Sequence, residues 1–167
     1  MKQKTLIIIL SQFIATLLYS QVGYVLFTPQ GQSKAYLYKT ALSTCIVDSI
    51  VNDSIEEIFY CVTIERTTKR RAYVSTFEDY NSMTLHKGWI DWQELGIRLQ
   101  GDTTILRSRP DYKSKVTVVI DDWPGWGVIY HITKAKQGWL YIDDKNEHIK
   151  GWIAPEYQCA NPYTTCN

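Results

Sequence analysis

Cysteine, histidine and paired acidic side chains are the residues of this chain whose types could support catalysis. A cysteine nucleophile needs a histidine base held beside it; the chain has four Cys and three His, but no Cys lies in a nucleophile-like turn. The acidic pairs lie in predicted turns, where carboxylates usually bond to nearby backbone; they are Glu56-Glu57, Asp121-Asp122 and Asp143-Asp144. The sequence has no serine-nucleophile elbow, zinc-protease helix or glycine-rich phosphate loop. We therefore expect a protein that is not an enzyme and uses no cofactor.

Aromatic side chains are the residues best suited to binding, because they bury a large area at little cost in conformational entropy. The segment "DDWPGWG" at 121–127 places Trp123 and Trp126 around a Pro-Gly turn. This predicts an exposed aromatic loop, with the alternative that one ring folds back onto the body. The remaining candidates are predicted to lie in the core or on the wall of a groove; they are Trp89, Trp92, Trp139, Trp152 and Tyr157.

A cluster of basic residues lies in "ERTTKRR" at 65–71 and is predicted to form a loop tip; its members are Arg66, Lys69, Arg70 and Arg71. Either the cluster is a solvated turn, or it is a docking patch for an acidic partner. The formal net charge of the chain is only +1, and it becomes −1 without Lys2 and Lys4. So small a charge does not attract nucleic acid, and we expect no nucleic-acid partner.

The first twenty residues have the layout of a secretory signal peptide. Lys2 and Lys4 precede an apolar run, and the small residue Ser20 precedes Gln21, which predicts cleavage before Gln21. The alternative, a retained membrane anchor, would need about 20 apolar residues in succession. We expect residues 1–20 to be removed, so that no integral membrane segment remains and the protein is periplasmic or secreted.

The four cysteines are Cys45, Cys61, Cys159 and Cys166. An even number in an exported chain predicts two disulfides, whereas a metal site is disfavoured because no C-x-x-C pair occurs and the His residues lack ligand spacing. A hairpin turn within Asn52-Asp53-Ser54 would place Cys45 opposite Cys61 on neighbouring strands. This favours a Cys45–Cys61 bridge and leaves Cys159–Cys166 to close a C-terminal tail at 159–167.

The chain contains an internal repeat. Lys87-Gly88-Trp89-Ile90 recurs as Lys150-Gly151-Trp152-Ile153. Three further pairs of segments align in the same order; they are 35–40 with 105–110, 45–53 with 115–123, and 58–64 with 128–134. The first copy has a longer polar stretch before its Lys-Gly-Trp-Ile segment, and such a loop insertion is tolerated. We therefore predict two units, 22–98 and 101–158.

Both units are predicted to consist of β-strands. Their segments are short, rich in Val, Ile and Tyr, and separated by turn residues. Alternation predicts which side chains face inward; in the second unit they are Val116, Val118, Ile120, Val128, Tyr130 and Ile132, and in the first Ile46, Ile50, Ile58, Tyr60 and Val62. Asp48 interrupts this pattern, which predicts either a polar inward position or a bulge.

The second unit resembles the bacterial type of Src-homology-3-like domain. The resemblance rests on "TILRSRPDYKSKV", "GVIYHITKAKQGWLYI" and "KGWIAPEYQ", although Arg109 stands where the family usually has Gly. The first unit shares mainly "KGWI". The resemblance implies an all-β fold of two tandem five-stranded, partly open barrels after the signal peptide.

The resemblance also implies a class of function, since such domains usually bind peptides, peptidoglycan or partner proteins. We expect an exported, non-catalytic protein that binds peptidoglycan or a short peptide through aromatic grooves. A second hypothesis is a periplasmic inhibitor or immunity protein that binds a toxin or hydrolase. A third is a structural component of the cell envelope.

Overall fold

A computed structural model describes residues 21–26, 32–53, 55–56, 58–77, 84–121, 128–145 and 148–161. The regular elements are antiparallel strands and two one-turn 3-10 helices, which confirms the prediction of an all-β fold. The strands are β1 (Gln21–Val25), β2 (Gln32–Tyr38), β3 (Ile46–Asp53), β4 (Cys61–Thr67), β5 (Arg71–Phe77), β6 (Leu85–Asp91), β7 (Leu95–Leu99), β8 (Thr104–Arg107), β9 (Val116–Ile120), β10 (Tyr130–Lys136), β11 (Trp139–Asp144), β12 (Ile149–Ile153) and β13 (Gln158–Cys159). The helices are η1 (Trp92–Glu94) and η2 (Pro155–Tyr157).

The strands join into one sheet in the order β3-β2-β6-β5-β4-β1-β7-β10-β11-β12-β8-β9, and β13 also pairs with β7. The order β3-β2-β6-β5-β4 in the first half corresponds, strand for strand, to β9-β8-β12-β11-β10 in the second. A one-turn helix follows β6 in one half and β12 in the other. The two halves therefore share one topology, as the sequence repeat indicates. Their separation into two barrels remains a prediction.

The two halves also carry β-bulges at equivalent places. Val47 is the extra residue where β3 pairs with β2, and Thr117 is the extra residue where β9 pairs with β8. Glu65 is inserted in β4 opposite β5, and Thr133 in β10 opposite β11. A bulge shifts every later side chain along its strand relative to the partner. Since Val47 precedes Asp48, the strand has the predicted bulge, and Asp48 is also a polar residue on the inward side.

Strand β7 connects the two halves. All five of its residues are buried, and it pairs with β1 of the first half and with β10 and β13 of the second. It lies at the centre of a continuous apolar core that includes residues of both halves, among them Leu37, Val62, Val74, Ile90, Leu106, Ile132, Leu140 and Ile153.

The glycines of the repeated Lys-Gly-Trp-Ile segments make the same close contact. A Cβ on Gly88 would lie 2.8 Å from Leu37 Cβ, and one on Gly151 would lie 2.9 Å from Leu106 Cβ. Real Cβ atoms essentially never approach this closely, so each position requires glycine for β6 to lie against its neighbour β2 and for β12 to lie against its neighbour β8.

Five of the eleven side chains predicted to face inward are buried, namely Ile50, Tyr60, Val62, Tyr130 and Ile132. Val118, Ile120 and Val128 are partly buried against the core. Three are exposed instead: Ile46, which exposes 50% of its surface, Ile58 and Val116. Ile46 and Val116 begin β3 and β9, the two ends of the strand order, where the sheet covers a side chain least. Ile58 precedes β4 and forms only an isolated bridge with Asp53.

The predicted hairpin that would pair Cys45 with Cys61 is wrong. The segment after Cys45 pairs with β2, whereas β4 pairs with β1 and β5. Strands β3 and β4 therefore lie at opposite ends of their five-strand group, and Cys45 and Cys61 are both free. Cys159 is buried. Cys166, Trp123, Trp126 and residues 1–20 lie outside the described residues, so the bridge, loop and signal peptide predicted there remain predictions.

Labelling the native protein with iodoacetamide is expected to modify Cys45 quickly and Cys61 slowly. The Cys61 thiol donates a hydrogen bond to the Ala160 carbonyl at 3.1 Å, and burial raises the pKa of that thiol. A raised pKa leaves less of the reactive thiolate at neutral pH. Peptide mass mapping at several times and pH values measures both rates, with Cys45→Ser as the control that isolates the slow site. Failure of both residues to react before denaturation would contradict the free thiols.

No helix among the described residues is long and apolar enough to cross a membrane.

Candidate functional site

The first half carries a cation, a tyrosine and a tryptophan side by side on β4, β5 and β6. We call Arg66, Tyr73 and Trp89 the first ladder. The guanidinium carbon of Arg66 lies 4.1 Å from the Tyr73 ring centroid and 5.5 Å from that of Trp89. The two rings meet edge to face with centroids 5.5 Å apart. All three residues keep surface in contact with solvent.

The second half repeats this arrangement on β10, β11 and β12. We call Lys134, Tyr141 and Trp152 the second ladder. Lys134 Nζ lies 4.8 Å from the Tyr141 ring centroid, and the rings of Tyr141 and Trp152 meet edge to face at 5.3 Å. The members of each ladder are directly paired across their strands. The sequence repeat therefore preserves a specific surface as well as a fold.

The β-bulges determine which side chain completes each ladder. Ile64 pairs with Val74, so an unbroken register would place Glu65 opposite Tyr73, but the bulge places Arg66 there instead. In the second half the bulge likewise replaces Thr133 with Lys134 opposite Tyr141. Both bulges thus place a cation over a tyrosine ring, where the ring quadrupole attracts it.

The ladders differ on the fourth strand. Tyr38 is paired with Trp89, and the guanidinium of Arg71 lies 3.5 Å from its ring centroid. Arg107 takes the corresponding place beside Trp152 and donates a hydrogen bond from Nη1 to the Ser114 carbonyl at 2.9 Å. The second ladder is therefore flanked by a cation at both ends, which makes it better suited than the first to an acidic ligand.

The structure divides the tryptophans predicted as site residues into two groups. Trp89 and Trp152 are half-buried members of the ladders. Trp92 is only 7% exposed and donates a hydrogen bond from Nε1 to the Thr68 carbonyl at 3.0 Å. Trp139 is only 5% exposed and packs edge to face against Tyr112. For Trp92 and Trp139 the core alternative applies, and neither is available as an exposed contact.

Tyr157 is half-buried in η2. The neighbouring Glu156 accepts a hydrogen bond from the Tyr112 hydroxyl at 2.8 Å. This contact ties η2 to the loop that leads from β8 to β9. Tyr157 therefore belongs to a fixed corner of the second half.

The predicted basic patch loses one member in the folded protein. Arg71 is only 2% exposed, and its guanidinium bonds to Asp91 Oδ1 at 2.9 Å, to Asp91 Oδ2 at 3.4 Å and to the carbonyls of Thr40 and Ser43. It cannot reach an external partner, so its inclusion in the patch was wrong. Arg66 belongs to the first ladder.

Lys69 and Arg70 remain exposed and line an open groove of about 490 Å³ between the two halves. The other lining residues are Asp91, Trp92, Gln93 and Thr133. Thr133 is the bulge residue next to Lys134, so the groove begins beside the second ladder. Asp91 is paired with Arg71, and Arg70 Nε lies 4.0 Å from the same carboxylate. Lys69 and Arg70 therefore give the groove an excess of positive charge, which suits an anionic group of a ligand that extends from that ladder.

The sequence pattern does not predict several residues of this surface. Tyr73 and Tyr141 occupy equivalent places in the repeat, but recognising this requires the bulges. The pair Arg71–Asp91 lies where the second half has Trp139 and Ala154, so the two copies share no residue type there. Asp48 faces inward and its Oδ2 lies 2.8 Å from His86 Nδ1, a contact between strands that are not neighbours in the sheet.

Comparison with known proteins assigns no family to this chain. No model of a known protein family matches the sequence, and no curated protein matches it. The structure of NlpC2 from Trichomonas vaginalis is similar with a TM-score of 0.33 and 13% sequence identity, over 85% of this chain and 48% of that chain. The chain thus spans about half the length of that protein.

Proposed function

We propose that this chain is an exported, non-catalytic protein of two Src-homology-3-like barrels that binds peptidoglycan stem peptides, or short peptides like them, through its aromatic ladders. The observation that carries the proposal is the duplicated ladder, in which a cation lies beside two half-buried rings. The shared order of five strands, with a one-turn helix after β6 in one copy and after β12 in the other, supports the barrel architecture.

The chemistry of the ladders suits a short acidic peptide. Partly exposed tyrosine and tryptophan rings offer flat apolar area at little entropic cost. Arg66 and Lys134 add a positive charge at the edge of each platform, which favours a carboxylate. Stem peptides of the cell wall combine short aliphatic side chains with free carboxylates, so they can use the rings and the cation together.

Retention on purified cell-wall sacculi tests this proposal. Trp152→Ala is expected to weaken retention about tenfold, because it removes a ring contact and half of the edge-to-face pair. Trp89→Ala should likewise weaken retention, because it removes the same ring contact from the first ladder. The measurement is the fraction of protein sedimented with increasing amounts of sacculi.

Tyr36→Ala is the matched control. Tyr36 is exposed on β2 and has Lys34 Nζ 5.5 Å from its ring centroid, but it lies outside both ladders. Its replacement should leave retention unchanged. The proposal fails if the wild-type protein is not retained, or if both tryptophan variants sediment as the wild type does.

A second candidate function is the binding of a partner protein, as an inhibitor or immunity protein would do. Strand β3 favours it, because Ile46, Val47 and Val51 are exposed on a strand that has β2 as its only strand neighbour among the described residues. An exposed apolar edge strand can accept a strand from another protein. Affinity purification from the native cell envelope separates the two functions: one stoichiometric protein supports the second, and wall fragments alone contradict it.

A further inference from the structure

We infer that the two ladders act as one bivalent site, so that a single peptidoglycan polymer contacts both at the same time. This inference rests on the proposed function and extends it from one stem peptide to the polymer that repeats it. Because both the ligand and the site are repeated, one polymer can occupy both ladders. The gain in affinity comes from holding both contacts on one molecule. Free stem peptides would occupy the two ladders independently.

The register of the central strands places both ladders on one face of the sheet. Cys61 on β4 lies opposite Tyr24 on β1, Tyr24 lies opposite Gly96 on β7, and Gly96 lies opposite His131 on β10. Residues directly opposite each other in an antiparallel pair point to the same face. The faces that carry Cys61 and His131 are therefore continuous through β1 and β7, where Tyr24 and Gly96 are buried.

The ladders belong to that same face. On β4 the side chains of Val62 and Ile64 point into the core, so Cys61 lies on the outer face, and the bulge returns Arg66 to it opposite Tyr73. On β10 the buried side chains are those of Tyr130 and Ile132. His131 is consequently outward, and Lys134 joins it after the equivalent bulge.

Strand spacing sets the separation of the two cations. Three steps of about 4.8 Å separate β4 from β10, which gives roughly 14 Å across the sheet. Because each step is antiparallel, β4 and β10 run in opposite directions, and Arg66 and Lys134 are displaced towards opposite ends of them. At about 3.3 Å per residue this adds roughly 20 Å along the strands, so the cations lie on the order of 25 Å apart.

A polymer that spans this distance gains affinity without any new contact. Once one ladder is occupied, the second meets its ligand at a high effective concentration, and avidity can exceed either single affinity by roughly 100-fold or more. A short fragment cannot bridge the distance and gains nothing. The difference between polymer and fragment therefore measures bivalence directly.

The experiment compares intact sacculi with the soluble stem-peptide fragments released from them by a muramidase. Calorimetry with fragments is expected to give two bound fragments per wild-type chain and one per chain for Trp89→Ala or Trp152→Ala. On sacculi, each single variant should bind at least tenfold more weakly than the wild type, and the double variant should not be retained. Arg66→Ala and Lys134→Ala, at exposed positions, repeat the test while the tyrosine and tryptophan rings stay in place.

Different outcomes overturn the bivalence of the ladders and the proposed function. If fragments bind at two sites but the affinity of each single variant for sacculi falls only about twofold, the ladders act independently. Bivalence is then overturned, while the proposed function stands. One fragment per wild-type chain also overturns it. If neither fragments nor sacculi bind, both the proposed function and the inference fail.

Discussion

Replacing Asp91 with alanine is expected to lower the free energy of unfolding by about 3 kcal/mol. Asp91 accepts two hydrogen bonds from Arg71, whose side chain is almost entirely buried. Removal of the carboxylate leaves a buried guanidinium with carbonyl acceptors and the Tyr38 ring but no counter-charge. Breaking a buried ion pair by removing one partner is costly because the remaining charge is desolvated without compensation. Urea denaturation followed by tryptophan fluorescence measures the change.

The second half supplies both a control and a rescue. Asp143→Ala, at an exposed position of β11, should change the free energy of unfolding by no more than a few tenths of a kcal/mol. The double variant Arg71→Trp/Asp91→Ala gives the first half the residue pair of the second, Trp139 and Ala154. It should be more stable than Asp91→Ala alone. Stability of Asp91→Ala equal to that of the wild type would show that Arg71 does not depend on this carboxylate.

Gly151→Ala and Gly88→Ala are each expected to lower the free energy of unfolding by about 2 kcal/mol. The added methyl group would overlap Leu106 Cβ or Leu37 Cβ, and the neighbouring carbonyls of Arg107 and Tyr38 lie only 3.2 and 3.3 Å from it. A Cβ atom on a packed strand cannot rotate away, so the two neighbouring strands must separate. Thermal and urea unfolding measure both variants.

Lys150→Ala and Lys87→Ala are the matched controls, since each lies one residue earlier on the same strand with an exposed side chain. Both should unfold as the wild type does. Similar losses for the two glycine variants would show that the copies preserve the same close contact between neighbouring strands. A glycine variant as stable as its lysine control would contradict the close contact in that half.

The sequence predicted the strands and their repetition better than it predicted the register. The segment that begins β3 was aligned correctly with that of β9, because the extra residue lies at the same place in both. Alignment by sequence matched Val62 with Ile132, whereas the bulges match Ile64 with Ile132. This error of two residues left every side chain on its correct face, since strand side chains alternate with a period of two. A local hairpin was the wrong choice for Cys45 and Cys61 because the pairing that forms is between strands distant in sequence.

The sequence predicts only part of the candidate site, because the register of the strands determines the rest. Trp89 and Trp152 follow from the repeated Lys-Gly-Trp-Ile segment. Their tyrosine and cation partners depend on bulges, and alternation of apolar residues carries no signal for an inserted residue. The basic run predicts Arg71 in a solvated turn, because such runs are usually solvated, and it carries no signal for the pairing with Asp91. Only the tertiary structure shows that the loop before β3 covers Arg71 with the carbonyls of Thr40 and Ser43.

Strand β7 links the folding of the two copies. It is buried along its whole length and forms hydrogen bonds with strands of both copies, so loss of either copy would strip partners from the strand that completes the other. We therefore expect the two copies to unfold together, in one cooperative transition. Their surfaces differ even so: the first copy has Arg71 and Asp91 where the second has Trp139 and Ala154, although the strand order is the same.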